Sequence, residues 1–383
     1  MQKAKTWLRS RIPAIARRDA IIQRQREQID RLTRKVASRS AQIKALDRRL
    51  RQEQAQAQET RERLLRSTGR PSFRREVLSL RNAQRIVRTV DAEYLTPFSQ
   101  IPHKLRNYHL AASHGVRTPE VLAVWSSVEE IDLTAMPGEF VLKADGGAGG
   151  VSVFLLRRAS SGVFESLDGS QRLTLAQIKA RFVELGPRRA RPPFFAEEVL
   201  DVHASAGAIP EDVKIYTAYG EVLQVMLRRV GTHRDPASIR YRYLTEDRED
   251  LGQADRFRTM DHDLPVPQGF DDMTGIARHL SRAAGVPFCR VDLYDTPGEP
   301  TLGEITRAPG GDHFYSRRHD RQMGAAVVAA QIRLEQDLVR GRPSGALFGT
   351  IAQPDPYGAV TLPPEISNPR DWPVHTIPCG RWC

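Results

Sequence analysis

Apolar positions fall into two regimes along this chain. From residue 22 to residue 64, Ile22, Ile29, Val36, Ile43, Leu50, Ala57 and Leu64 recur every seven residues, and Leu32 and Leu46 fill two intervening d-type positions. A seven-residue apolar period on a helix that is polar elsewhere is the seam of a coiled coil. The other d positions, Gln25, Arg39, Glu53 and Thr60, weaken this seam. β-Branched residues at a with leucine at d favour a parallel dimer, so a homodimer through the coiled coil is expected. A single amphipathic helix packed on the body is the alternative, and polar residues on its other faces argue against it. Ser67-Thr68-Gly69-Arg70-Pro71-Ser72 breaks the helix, and a second helical stretch from about Arg75 to Tyr94 bridges to the remainder.

Beyond Pro102 the apolar spacing alternates between the periods of strands and helices. A short helix from Lys104 to His114, closed by Gly115, precedes strands at Val121 to Trp125 and Glu139 to Lys143, the latter followed by a further strand at Val151 to Leu156. Leu173 to Glu184 predicts a helix and Phe194 to Leu200 an extended segment. Asp212 to Tyr219 and Val222 to Arg228 predict a hairpin around Gly220-Glu221. A helix over Asp271 to Ala284 leads into two short strands, Cys289 to Tyr294 and Thr301 to Thr306, joined by the turn-rich Asp295-Thr296-Pro297-Gly298-Glu299-Pro300. A last helix spans about Arg318 to Val339, and the final forty residues, rich in proline and glycine, read as a loosely structured extension. The fold class is mixed α+β. Its divisions are a basic coiled coil at 1–70, a helical linker at 71–101, a catalytic-type α+β domain at 102–340 and the Pro/Gly-rich C-terminal extension at 341–383.

Charge changes the choice of partner. The chain of 383 residues has a formal net charge of +12. Met1 to Arg75 alone holds 22 Lys and Arg against seven Asp and Glu, a net of +15, so the rest carries a small negative excess. The basic character belongs to the N-terminal segment, and nucleic acid is not the expected partner of the body. No run of about 18 apolar residues is present and the N-terminus lacks the apolar core of a secretory signal, so a cytoplasmic address is expected. Three cysteines are too few for a disulfide framework. Cys379 and Cys383 have no third or fourth metal ligand nearby in sequence, which makes a frayed tail the expected reading.

Candidate chemistry concentrates at two places. Asp292 and Glu304, on the two short strands, aim at one point beside Arg290, and two carboxylates near a cation suit a magnesium-bound triphosphate. Taken alone, they also fit a solvated hairpin. The second place is Lys143-Ala144-Asp145-Gly146-Gly147-Ala148-Gly149-Gly150, a strand that ends in lysine and enters a glycine-rich loop. Glycines let backbone N–H groups approach phosphate oxygens. This loop lacks the Lys-Ser/Thr ending of a P-loop and opens no helix, so a flap between strands fits it better than either nucleotide fingerprint. Glu197 and Glu198 end a strand where they could accept an adenine amino group or a ribose hydroxyl. Lys214 lies on the next strand, where an ordinary outward-facing lysine is its alternative. Arg307 could hold a substrate carboxylate or pair with an acid, and His313 and His319 read as loop histidines.

Taken in order, Lys143, the glycines, Glu197 or Glu198, Lys214, Arg290 with Asp292, and Glu304 resemble an ATP-grasp enzyme. From about Pro102 to Gly324 the chain is similar to the TupA-like ATP-grasp family, named for a protein of teichuronopeptide biosynthesis. Pro102-His103-Lys104, Phe140-Val141-Leu142-Lys143, Pro210-Glu211-Asp212-Val213-Lys214, Arg290-Val291-Asp292-Leu293-Tyr294, Gly303-Glu304-Ile305-Thr306 and Pro309-Gly310-Gly311 carry the resemblance together. It implies an ATP-grasp fold, two α+β lobes sandwiching ATP. By the same resemblance Lys104, Lys143, Lys214, Gly146, Gly147, Gly149, Gly150, Glu197 and Glu198 bind the nucleotide, and Asp292 and Glu304 ligate Mg²⁺. Arg290 and Lys214 would offset charge on the transferring phosphoryl group. Thr306 stands where an asparagine often supplies a third metal ligand. The implied reaction joins a small-molecule or polymer-linked carboxylate to an amine, such as an amino acid, through an acyl phosphate, in the biosynthesis of a cell-surface polymer. The basic coil would dimerise the enzyme or hold it against an acidic membrane surface. An ATP-grasp kinase and a non-catalytic coiled-coil adaptor are the rival classes.

Overall fold

A computed structural model describes residues 13–67, 69–90, 95–147, 152–187, 189–203, 212–230, 238–309, 313–358, 360–362, 369–378 and 380–383. The chain divides into two compact units, Met1–Arg70 and Pro71–Cys383. In the first, helix α1 (Pro13–Ser67) runs through the heptad region without interruption. Its seam residues Ile29, Leu32, Val36, Ile43, Leu46 and Leu50 are each more than half exposed. Among the described residues, no helix is long and apolar enough to cross a membrane.

The second unit opens with α2 (Phe73–Val90) and, after one turn at Pro97–Gln100, α3 (Lys104–Ser113). Two antiparallel sheets follow. The first contains β1 (Val121–Trp125), β2 (Glu139–Gly146), β3 (Val153–Ser160), β4 (Val163–Ser166), β5 (Arg172–Thr174) and β6 (Arg191–Glu197), in the order β1-β6-β2-β3-β4-β5. Helix α4 (Leu175–Leu185) starts in a capping box formed by Thr174 and Gln177. It buries Ile178 and Phe182 with Phe140, Leu142, Phe164 and Phe194 of the sheet. Alternation along β2 sends Leu142 and Ala144 into this core and leaves Lys143 and Asp145 for the opposite face.

The second sheet contains β7 (Val213–Thr217), β8 (Val222–Val230), β9 (Ile239–Leu244), β10 (Cys289–Tyr294) and β11 (Thr301–Thr306), in the order β11-β10-β7-β8-β9. Helix α5 (Phe270–Ala284) lays Phe270, Met273, Ala277, Leu280 and Ala284 against Val213, Ile215, Val291 and Leu293. That apolar set uses the odd-numbered positions of β7 and β10, so Lys214, Tyr216, Arg290 and Asp292 face the other side. Part of the other side is covered by α2 and by α6 (Arg317–Val339), where Phe73 packs with Tyr216, Phe288 and Tyr315. The β7–β8 hairpin turns at Tyr219 and Gly220, both left-handed with φ of 44° and 88°, as a two-residue turn matched to strand twist requires.

Two expectations change. Between the hairpin ending at Arg228 and the helix starting at Asp271 the sequence pattern predicts no element, yet β9 lies there and pairs with β8 from Val225↔Leu244 to Val230↔Ile239. The C-terminal residues, read as loosely structured, are anchored on α3. Arg106 donates hydrogen bonds to the carbonyls of Pro369 (3.3 Å), Trp372 (3.2 Å) and Pro373 (2.6 Å), and its guanidinium lies 4.8 Å from the Phe348 ring centroid. Two short strands, β12 (Leu347–Phe348) and β13 (His375–Thr376), pair in parallel there. An arginine with several carbonyl acceptors needs no regular structure in its partner, which explains how so proline-rich a segment is held.

Phe73 is 1% exposed and packs with four rings, those of Tyr216, Phe288, His313 and Tyr315, so it anchors α2 in the body. Phe73→Ala is expected to lower the unfolding free energy by about 3–5 kcal/mol, the usual result of emptying a buried aromatic site. Denaturant unfolding checks this, and a loss below about 1 kcal/mol would show that α2 does not share the core.

Candidate active site

The hairpin forms with the register that brings the carboxylates together. Asp292 lies opposite Glu304 on one side and opposite Lys214 on the other, so the three side chains stand abreast on β11, β10 and β7. Pairing then shifts from Asp292↔Glu304 to Leu293↔Leu302, and Gly303 is the extra residue of this bulge. A Cβ on Gly303 would come within 2.8 Å of the Tyr294 ring, so only glycine fits.

Asp292, 1% exposed, is held from both sides. Arg290 grips it in a fork, Nε to Oδ1 at 2.6 Å and Nη2 to Oδ2 at 2.6 Å, and Lys214 Nζ reaches Oδ2 at 2.6 Å. The same Arg290 Nη2 extends to Glu304 Oε1 at 3.3 Å and Thr306 Oγ1 at 3.5 Å, while the Thr306 hydroxyl donates to Glu304 Oε1 at 3.0 Å. Lys214 also pairs with Asp212, which Arg228 Nη2 approaches at 3.4 Å. Burial alone would raise the Glu304 pKa. Arg290, Lys104 and Lys214 outweigh it and hold the carboxyl below its usual range, so it is ionised at neutral pH. Two carboxylates and a hydroxyl are hard oxygen donors, the set that suits Mg²⁺ beside phosphate oxygens.

The glycine-loop side is organised by Asp145. Fully buried, it accepts the backbone N–H of Leu105 at 2.8 Å, pairs with His103 Nδ1 at 2.8 Å and receives the Tyr357 hydroxyl at 3.4 Å. A carboxylate at a helix N-terminus satisfies N–H groups that have no intrahelical acceptor and complements the helix dipole. Asp145 thus fixes the start of α3, and with it Lys104, whose Nζ donates to the carbonyls of Ala144 (3.0 Å) and Asp145 (3.3 Å). Burial depresses the Lys104 pKa against the opposing pull of Glu304, Asp145 and Glu197. Those charges, with Lys143, place the lysine between the two chemical centres. Lys143 pairs with Glu197, which also accepts the Tyr108 hydroxyl at 2.8 Å. Burial first, then Glu197, pushes that phenol well above its usual pKa.

Gly147 needs its missing side chain, because a Cβ would lie 2.5 Å from the Arg189 carbonyl oxygen; one on Gly146 would lie 2.9 Å from the Arg191 Cβ. Gly149 and Gly150 lie outside the described residues. Glu197 and Glu198 separate: Glu197 joins the lysine cluster, whereas Glu198 accepts the Glu120 N–H at 3.0 Å and lines a cavity of about 820 Å³ with Tyr108, Val121, Asp355 and Tyr357. None of Lys104, Lys143, Lys214, Arg290, Asp292 and Glu304 lines that cavity. Arg307 donates to the Phe98 carbonyl at 3.1 Å. His313 stacks on Tyr315 with ring centroids 5.1 Å apart, and burial, reinforced by Arg258, pushes its pKa down to about 3. His319 meets Gln224 Oε1 at 2.7 Å, so both histidines serve packing.

Residue types alone did not single out Asp145, Tyr108, His103, Tyr357 or Asp212. A signal existed for Asp145, which follows Lys143 by two residues and so shares its strand face. The others depend on contacts between distant segments.

The family model for TupA-like ATPgrasp matches residues 85–328. Among solved structures the chain is similar to a D-alanine–D-alanine ligase from Bacillus anthracis, at 12% identity and TM-score 0.40 over 62% of this chain and 70% of that one. It is also similar to a RimK domain ATP-grasp protein from Sphaerobacter thermophilus, at 15% identity and TM-score 0.35 over 61% and 69%. A RiPP-associated ATP-grasp ligase from Chryseobacterium gregarium shows 14% identity and TM-score 0.34 over 65% and 62%. No protein of curated function matches the chain. The family match spans more than half of the chain and encloses both the glycine loop and the carboxylate hairpin, so the chain belongs to the TupA-like ATP-grasp family.

Proposed function

We propose that this enzyme joins a carboxylate to an amine at the expense of ATP, and that its acceptor is a precursor of a cell-surface polysaccharide or related polymer. The observation that carries the reading is the row Lys214, Asp292 and Glu304 on adjacent strands, crossed by Arg290, with Lys104 between Glu304 and Lys143. Lys104, Lys143 and the amides near Gly146 and Gly147 hold the phosphates. Glu197 orients Lys143, and Glu198, turned to the neighbouring cavity, is the acceptor available to a ribose or base edge. Asp292, Glu304 and the Thr306 hydroxyl would hold Mg²⁺, whose chemistry is to neutralise charge on the triphosphate.

The substrate carboxylate attacks the γ-phosphorus and ADP leaves, giving an acyl phosphate. The amine nitrogen then attacks the acyl carbon and phosphate departs, with loss of a proton from nitrogen as the amide forms. Arg290 and Lys214 stand where negative charge grows on the transferring group, and preorganised cations of this kind are worth about 10²–10³ in rate. A kinase built on the same site would instead end at a stable phosphorylated product. The family's name origin supports the polymer acceptor, and the exposed seam of α1 supports a parallel homodimer. The basic N-terminal segment supports contact with an anionic membrane, at about 1 kcal/mol for each basic residue near the surface.

Three outcomes follow. Glu304→Gln keeps the shape of a half-buried side chain and removes its charge; isothermal titration should show Mg²⁺-dependent ATP affinity lowered at least about tenfold, a loss of about 1.4 kcal/mol. Unchanged affinity would remove Glu304 from the site. With ATP, amino acids and uronic-acid-bearing acceptors, mass spectrometry should find ADP together with a new amide; a phosphorylated acceptor that persists would instead establish the kinase. Deleting residues 1–70 should leave ATP turnover in place while converting dimer to monomer and ending association with anionic vesicles. A truncated chain that stays dimeric and vesicle-bound contradicts the role given to α1.

A further inference from the structure

We propose that His114, His279 and Cys383 form a binding site for a borderline-soft divalent metal of the zinc class, a clip that fastens the C-terminal segment to the body. The sequence places these residues far apart, and Cys383 alone has no ligand set. The fold supplies it. His114 is the C-cap of α3, His279 lies inside α5, and Cys383 packs against the core shared by these helices. One donor atom from each lies within 4.8 Å of the others, and His279 Nε2 is 2.9 Å from His114 Nδ1. Tetrahedral Zn²⁺ with bonds of about 2.0–2.1 Å to nitrogen and 2.3 Å to sulfur sets donor separations of roughly 3.3–3.6 Å. Small side-chain adjustments therefore bring these donors to the required spacing.

Two further features fit the role. His114 Nε2 lies 2.9 Å from the Leu347 carbonyl, so it carries the proton, and the lone pair of Nδ1 is turned toward His279 and Cys383. Orientation of a ligating imidazole by a carbonyl behind it is the usual support of a metal-binding histidine. Two imidazoles and a thiolate without a carboxylate discriminate against Mg²⁺ and favour Zn²⁺ or Co²⁺. The clip joins the segment whose Tyr357 and Trp372 meet Asp145 and His103, so metal at this site braces the start of α3 and Lys104.

Co²⁺ is the probe. Titrated into the reduced full-length chain with excess Mg²⁺ and no ATP, it should bind once per chain with a thiolate charge-transfer band, be displaced by Zn²⁺, and raise the unfolding midpoint. Cys383→Ser and His279→Gln should each abolish the band with unchanged circular dichroism. Should His279→Gln misfold, Cys383→Ser alone decides. Absence of the band in the parent protein leaves a hydrogen-bonded histidine pair only and overturns the proposal, as does a band that survives His279→Gln. Because ATP is omitted, neither result bears on the ligase reading.

Discussion

The interaction on which the site depends is the hold of Arg290 and Lys214 on Asp292. A carboxylate that is almost wholly buried is tolerable only with charged partners and good geometry, and here it has a bidentate guanidinium and an ammonium at 2.6 Å. Each partner comes from a fixed strand position: Arg290 two residues before Asp292 on β10, Lys214 directly opposite it on β7. Register and electrostatics therefore specify each other. A slip of one residue would send Arg290 and Asp292 into the apolar layer under α5 and bring Val291 to the site.

The Asp145 cluster plays the corresponding part on the other sheet. It joins the end of β2 to the start of α3, and α3 reaches the second sheet through Asn107, whose Nδ2 donates to the Ile305 carbonyl at 3.1 Å. Lys104 is thereby carried between the glycine loop and Glu304. The C-terminal segment presses on the same helix through Arg106, Trp372 and Tyr357, so residues that looked like a tail stand behind Lys104.

Much of this was legible in the residues, and the exceptions have common causes. The β10–β11 hairpin could be read because dense turn residues separate two alternating segments. The order of Lys143, the glycines, Lys214, Asp292 and Glu304 pointed to the fold that the family match establishes. β9 escaped although Ile239-Arg240-Tyr241-Arg242-Tyr243 alternates as a strand does, because the run is short and its pairing with β8 depends on tertiary contact. The bulge at Gly303 escaped because one glycine in a short strand does not announce a register shift. Asp145 and Arg106 escaped because their partners are distant in sequence; for Arg106 and Pro369 the separation is 263 residues. Cys383 looked unsupported for the same reason.

The central claim is that the lysine side and the carboxylate hairpin hold one Mg²⁺–ATP complex. A crystal structure with Mg²⁺ and a non-hydrolysable ATP analogue tests it most directly. The expected result is phosphates between Lys104 and Lys143, with the metal about 2.0–2.1 Å from carboxylate oxygens of Asp292 and Glu304. A nucleotide whose phosphates lie in the cavity beside Glu198 and Tyr357, with no metal at Asp292 or Glu304, would contradict it.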